Sequence, residues 1–412
     1  MAKRERLLQV YRDHLNPNNA DFLVRSGLDS TVERAEGARI RDDRGRDFID
    51  FIAGYGVFNL GHNPPAVLTA LRRELEGRPL WNRPFLCEPL ADLAERLVAV
   101  APGELERVFF CSTGAEAVES AIKLARLATR RTGIVAAQGG YHGYTLGALS
   151  VSGIPAQSRP FRPLLPGVEH VPYGEAEALA KAVTSETGAV LLEPFQAEVG
   201  AIAPPPGYLA AAREICDRAG ALLVIDEVRT GMGRTGPLFA VEEEGVVPDL
   251  LLLGKSLAGG IVPIGAMVAR PRLWRRFGLS FAMTSSSFAG NRLACTAALA
   301  ALDMVAAENV LQAGRRGAEQ LWRGLEAIAA SHPDLVVALT GRGMLAGVHL
   351  PDNRVAGEVA ARALAGGLLV GAAFCDRRCL LLEPPLIIKP DEIDRGLAVL
   401  DRALGEVARA RT

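Results

Sequence analysis

Between about residues 90 and 300 the chain alternates two patterns. Short apolar runs (Val108-Phe109-Phe110, Gly133 to Ala137, Ala189 to Leu192, Ala221 to Ile225, Leu250 to Leu253) are separated by stretches with helical periodicity. Wholly apolar strands between amphipathic helices predict a mostly parallel sheet covered on both faces. One predicted helix opens at Gly114, with an apolar stripe of Val118, Ala121, Ile122, Ala125 and Ala128. On its polar side Glu119 and Lys123 stand one turn apart, a spacing suited to pairing. Upstream, residues 31 to 53 alternate and turn at Asp43-Arg44-Gly45, which predicts a short antiparallel sheet. The first 30 residues are polar and read as helix followed by irregular chain. After residue 300 come a long Ala/Leu/Arg helix, short strands around Gly347 to Leu350 and Leu380 to Leu382, and a final helix. The expected organisation is a large α/β domain over 61–300. A smaller α+β domain would be assembled from both termini, 1–60 and 301–412.

Composition narrows the function classes. At 412 residues, with 49% hydrophobic residues, the chain buries a large core. A net charge of -1 argues against a nucleic-acid surface. The charged start Lys3-Arg4-Glu5-Arg6 has no apolar signal core, and no stretch reaches the length of a membrane span. The six scattered cysteines read as reduced, buried residues of a cytoplasmic protein. Cys375 and Cys379 have no second pair or nearby histidine, so no metal site is expected.

The chemistry gathers where the apolar runs end. Ligands of such sheets bind at the carboxyl ends of the strands. Glu193 follows Leu192, Asp226 follows Ile225, and Lys255 follows the run ending at Leu253. Lys255 is one of only five lysines among 46 basic residues. An ammonium buried without a partner is costly, and a lysine that loses its charge there becomes a nucleophilic amine able to form a Schiff base. Cys111-Ser112-Thr113-Gly114-Ala115 leads from a strand into a helix, and its small residues leave backbone N–H groups open for a phosphate. Tyr141, between glycines, is placed to stack on a flat ring, with His142 beside it. A lysine, a carboxylate for a pyridine nitrogen and a phosphate cradle together make a pyridoxal phosphate site, with Asp226 as the pyridinium partner.

With these residues on the page, the chain resembles the class III pyridoxal-phosphate aminotransferases. The resemblance is carried by Tyr141-His142-Gly143, Glu193-Pro194-Phe195-Gln196-Ala197-Glu198, Pro204 to Leu209, Val224 to Gly236, Pro248 to Lys255 and Thr284 to Asn291. It implies a fold type I architecture and a homodimer with sites at the subunit interface. It also implies that Lys255 holds the cofactor aldehyde and shuttles the proton. Asp226 would pair with the ring nitrogen, Val228 and Tyr141 would sandwich the ring, and Gly114 and Ala115 would hold the phosphate. Ser286 and Ser287 stand where the phosphate is reached from the partner subunit. His142, Glu193 and Arg229 complete the cofactor set. The family's pocket positions place Tyr55, Val57, Phe58, Trp81, Glu198 and Leu381 on the substrate side. The stretch before Gly61-His62 is similar to putrescine-type aminotransferases rather than glutamate semialdehyde mutases.

Three positions depart from the family pattern. Arg229 stands where many relatives have glutamine, and Arg292 stands where proline is usual. Leu381 stands where relatives acting on α-amino acids carry an arginine that grips the α-carboxylate, and Glu198 is the residue that pairs with that arginine. Loss of one member of such a buried pair typically costs about 2–5 kcal/mol. Either another arginine (Arg229, Arg377 or Arg378) supplies the grip, or one main substrate lacks that carboxylate. With its expected partner gone, Glu198 reads as a free carboxylate for a remote ammonium. The implied activity is an ω-aminotransferase between a terminal primary amine or aldehyde, free or tethered to a carrier protein, and an amino acid or 2-oxoacid. The alternative is an aminomutase or amino-acid epimerase of the same fold.

Overall fold

A computed structural model describes residues 3–76, 79–80, 85–277, 286–307 and 309–411. Three strands near the N-terminus, β1 (Val32–Glu36), β2 (Arg39–Asp42) and β3 (Asp47–Asp50), pair antiparallel in sequence order, as the alternation predicts. The turn between β2 and β3 is tied by Asp42, whose Oδ1 accepts the N–H groups of Arg44 and Arg46 at 3.0 and 2.9 Å.

The central sheet holds seven strands. They are β4 (Arg107–Cys111), β5 (Gly133–Ala137), β6 (Val168–Val171), β7 (Thr187–Leu192), β8 (Leu222–Asp226), β9 (Leu250–Leu253) and β10 (Gly265–Ala269). Their order is β4-β10-β9-β8-β7-β5-β6, and only β10 runs against its neighbours. Side chains alternate between two separate cores. Val190, Leu192, Leu223, Ile225, Leu251 and Leu253 face one core, while Ala189, Leu191, Leu222, Val224, Leu250 and Leu252 face the other. Both faces are dry, which explains apolar runs without alternation. β6 and β10 lie outside the strands expected from sequence. β6 is an edge strand carrying exposed Glu169, whereas β10 is a wholly buried apolar strand of the same length as β5.

The last strands are β11 (Ala338–Arg342), β12 (Leu345–His349), β13 (Leu368–Leu369), β14 (Gly371–Ala372) and β15 (Cys379–Leu382). β11-β12-β15-β14 form a third sheet, whereas β13 pairs in parallel with β3, so both ends of the chain share one sheet. The link continues past β15. Glu383 N–H donates to Phe51 O at 2.7 Å, and Leu386 N–H donates to Asn59 O at 2.8 Å. These bonds bring the Glu383 turn against the loop after β3. Arg234 locks the same junction from a fully buried position, donating to Met344 O, Pro384 O and Asn59 Oδ1 at 2.8, 2.7 and 2.6 Å.

Two local expectations change. Glu119 turns away from Lys123 and accepts the Gly147 N–H at 2.9 Å, capping the helix Leu146–Val151. An orphan first-turn N–H offers a carboxylate a better partner than an exposed lysine does. Arg292 binds Glu74 at 2.6 Å with both side chains largely buried, pinning the helix Arg292–Ala307 to the helix Pro65–Glu74.

Candidate active site

The carboxyl edge of the central sheet borders a cavity of about 530 Å³. Its wall includes Gly114 and Ala115 after β4, Tyr141 to Thr145 after β5, Glu193 and Glu198 after β7, Asp226, Val228 and Arg229 at β8, and Lys255 after β9. Sequence-distant groups meet here because parallel strands deliver their ends to one side.

Lys255 opens a tight turn directly after β9 with φ +46°, a left-handed conformation that costs a non-glycine residue roughly 1–2 kcal/mol. Surrounding packing holds it there, aiming the amine at the cavity. Burial, aided by the positive charge of Arg229, pulls the Lys255 ammonium down to about 8. Asp226, at the end of β8, accepts the Val228 N–H at 3.0 Å through Oδ1, while its Oδ2 lies 2.7 Å from His142 Nδ1. Burial disfavours the charged imidazole, but the hydrogen bond and charge of Asp226 outweigh it and hold His142 above its ordinary value. Glu193 accepts the Tyr141 N–H at 2.8 Å, and burial pushes its carboxyl up to about 7.

The helix Gly114–Thr129 starts at this cavity. Thr113 Oγ1 accepts the Glu116 N–H at 3.1 Å, and Glu116 in turn accepts the Ser112 N–H at 2.7 Å. Among the described residues no acceptor meets the N–H groups of Gly114 and Ala115. A side chain at 114 would put its Cβ 2.8 Å from Val228 Cγ1, so only glycine lets this turn close on Val228. Open N–H groups at a helix start make a seat for a dianion.

Arg229 is the least expected feature. Its Nη1 reaches Glu198 at 2.5 Å, and its Nε and Nη2 form a fork onto Glu383, with Nε at 3.2 Å. Glu198 therefore is not free, contrary to the expectation from sequence: Arg229 supplies the guanidinium that position 381 lacks. Burial raises the Glu383 carboxyl, but Arg229, with Arg234 and Lys255 behind it, brings it below its ordinary value. Glu383 had a sequence signal, a lone carboxylate closing the run Leu380-Leu381-Leu382. Tyr144, edge-on to Tyr141 with ring centres 5.5 Å apart, was also missed, although it closes the same glycine-rich motif.

Other substrate-side expectations divide. Tyr55 lies over Arg229, 5.4 Å from ring centre to Cζ. Leu381 does not reach the cavity. It is 1% exposed and packs with Phe195, Ala197, Ala201, Leu345 and Cys379, because β15 directs it into that cluster while its neighbours face the main core. Val57 and Phe58 are also off the wall: Phe58 stacks on His62 at 4.3 Å, and both residues back onto Gly260. Arg378 is tied to Asp376 at the surface, and Arg377 is exposed. Ser286 is half-buried and Ser287 exposed, and neither borders this chain's cavity. Trp81 lies outside the described residues.

The profile of the family described as Aminotransferase class-III matches residues 24–404. The chain is a class III aminotransferase. Solved structures agree with this assignment. Ornithine aminotransferase from Toxoplasma gondii superposes with a TM-score of 0.91 at 30% identity, covering 99% of this chain and 96% of that one. A transaminase from the marine bacterium Virgibacillus gives 0.88 at 26% identity, covering 93% and 94%. An amine transaminase from an uncultivated Pseudomonas species, in its PLP-bound form, gives 0.83 at 28% identity, covering 92% and 95%. The aminotransferase thus has the fold type I architecture and uses pyridoxal 5′-phosphate. The open N–H groups at Gly114 and Ala115, the buried Asp226 carboxylate and the reachable Lys255 amine suit that cofactor's phosphate, ring nitrogen and aldehyde.

Proposed function

We propose that this aminotransferase is an ω-transaminase, moving an amino group between a terminal primary amine without an α-carboxylate and a 2-oxoacid. The observation that carries this reading is the capture of Arg229 between Glu198 and Glu383. Glu383 is answered by Arg229 and by the buried Arg234, and Glu198, the carboxylate on the cavity wall, already occupies Arg229 Nη1 at the substrate end of the cavity. An α-carboxylate entering it is repelled, and an amine, including one with a second ammonium, is favoured. The acid substrate then requires an exchange. Glu383 grips Arg229 by two bonds and is 1% exposed, whereas Glu198 holds it by one bond and borders the cavity. Glu198 is the partner that a substrate carboxylate replaces.

In this reading Lys255 binds the cofactor aldehyde and carries the proton between the substrate carbon and the cofactor. Asp226, backed by His142, keeps a proton on the ring nitrogen. Gly114 and Ala115 hold the phosphate, and Val228 and Tyr141 orient the ring. The bound cofactor supplies the electron sink that stabilises the substrate carbanion. We place Ser286 and Ser287 at the phosphate of a partner subunit in a homodimer, which accords with their position off this chain's own cavity.

The test is a half-reaction panel. Cofactor-loaded protein is mixed with single donors, and loss of the cofactor's visible band is followed. Rapid loss with diamines and simple primary amines is expected. Loss only with glutamate, alanine or ornithine would require withdrawal of the ω-amine reading.

A further inference from the structure

Four consecutive residues after β3 adopt left-handed backbone angles: Ala53 (φ +43°), Gly54 (φ +61°), Tyr55 (φ +58°) and Gly56 (φ +84°). Two of them carry side chains that disfavour this region. Such strain persists only where surrounding structure over-determines it. The turn is fixed from both ends. On entry Asp50 Oδ1 accepts the N–H groups of Ile52 and Ala53 at 2.7 and 2.9 Å and Phe51 O accepts the Glu383 N–H, and on exit the N–H groups of Val57 and Phe58 donate to Ala53 O at 3.0 and 2.9 Å. The bend presses the chain against Arg229: a Cβ on Gly56 would lie 3.3 Å from Arg229 Cγ, 3.4 Å from Arg229 O and 3.5 Å from Glu383 Oε2. Its result is to lay the ring of Tyr55 over the Arg229 guanidinium, with the ring edge backed against Gly371.

We infer that Tyr55 is a specificity-determining positioning residue, which clamps the face of Arg229 so that Nη1 points at the acid-binding end of the cavity. The inference rests on the reading above, in which Arg229 receives the substrate carboxylate. Glu383 grips the edge of the planar guanidinium and leaves it free to tilt about that edge. A ring against its face removes the tilt. Glu198 and an incoming carboxylate are therefore offered the same donor in the same place, and exchange requires no movement of the arginine. The contact with Arg229 is through the π face, while the phenol oxygen engages the Ala372 backbone.

The experiment is steady-state kinetics on the holoenzyme with one primary amine and one 2-oxoacid, for Tyr55→Phe, Tyr55→Ala, Arg229→Gln, Arg229→Lys and the double variant Tyr55→Ala/Arg229→Lys. Tyr55→Phe is expected to stay within about 3-fold of wild type. Tyr55→Ala is expected to raise KM for the 2-oxoacid roughly 5- to 30-fold, the range of a desolvated cation–π contact. Its KM for the amine and its kcat should change far less. In the Arg229→Lys background, which lacks the planar group, Tyr55→Ala should add little. Equal rises in both KM values, or a Tyr55→Phe as impaired as Tyr55→Ala, would overturn the clamp. Unchanged acid KM in the Arg229 variants would instead overturn the Arg229 reading. Arg229→Lys keeps a cation between the two carboxylates and so guards against misfolding of Arg229→Gln.

Discussion

His142 Nδ1 stands 2.7 Å from Asp226 Oδ2, with both side chains nearly dry, so the carboxylate at the end of β8 is held from behind by an imidazole delivered from β5. The other oxygen of Asp226 is fixed by the Val228 N–H. Both oxygens are thus oriented by groups from the sheet, which leaves the carboxylate no rotation. A preset acceptor costs no reorganisation when charge develops near it. Replacement of His142 by Asn should slow the amine half-reaction by roughly 10- to 100-fold, the worth of a hydrogen bond to a charged group. Single-turnover rates decide it: an unchanged rate would leave the pair without a part in the chemistry.

Lys255, drawn down to about 8, is largely cationic below that pH and increasingly nucleophilic above it. Capture of pyridoxal phosphate by the apo protein should therefore accelerate with rising pH and reach half its maximum near pH 8, well below the midpoint of an exposed lysine. Stopped-flow absorbance at a series of pH values measures this midpoint. Lys255→Ala should abolish turnover, and wild-type turnover in that variant would sink the mechanism.

Glu193 is raised from 4.5 to about 7 by burial. Between these values the folded protein holds more protons on this group than the unfolded chain does. Its contribution to stability therefore falls as pH rises from 4.5 to 7, and the penalty is complete above 7. Glu193→Gln carries no such penalty. The melting temperature of the apo variant relative to wild type should rise between pH 5 and pH 8. A difference independent of pH would show that Glu193 keeps an ordinary carboxylate pKa.

Leu381 is a packing residue in this geometry. Leu381→Ala should cost about 2–5 kcal/mol of stability without altering the preference between amine and amino-acid donors. Leu381→Arg should not restore an α-carboxylate grip, because its guanidinium would enter the apolar cluster of Phe195, Ala197 and Leu345 unpaired. Denaturant melts and the donor panel test both statements, and a gain of glutamate activity in Leu381→Arg would place that side chain in the cavity after all.

The sequence alone determined five of the seven strands of the central sheet and the positions of its reactive ends. Strands β5, β7, β8 and β9 were legible because burial on both faces demands uninterrupted apolar residues. Lys255, Asp226 and Glu193 stood out as the polar groups that follow those runs. The N-terminal sheet was legible from alternation and a turn, and β12 and β15 were read as short strands, but β11, β13 and β14 were not. Tertiary structure decided the rest. β6 lacks an apolar signature because it is a half-exposed edge, whereas β10 is as apolar as β5 and only its pairing in the sheet identified it as a strand. Whether Leu381 faced the cavity depended on the register of β15, where a shift of one residue exchanges the two faces. The pairing of Arg229 with Glu198 and Glu383 joins residues 31 and 154 positions apart. Periodicity reports only which face of its own element a residue occupies, so partners brought together by the crossing of separate elements leave no mark in the local pattern.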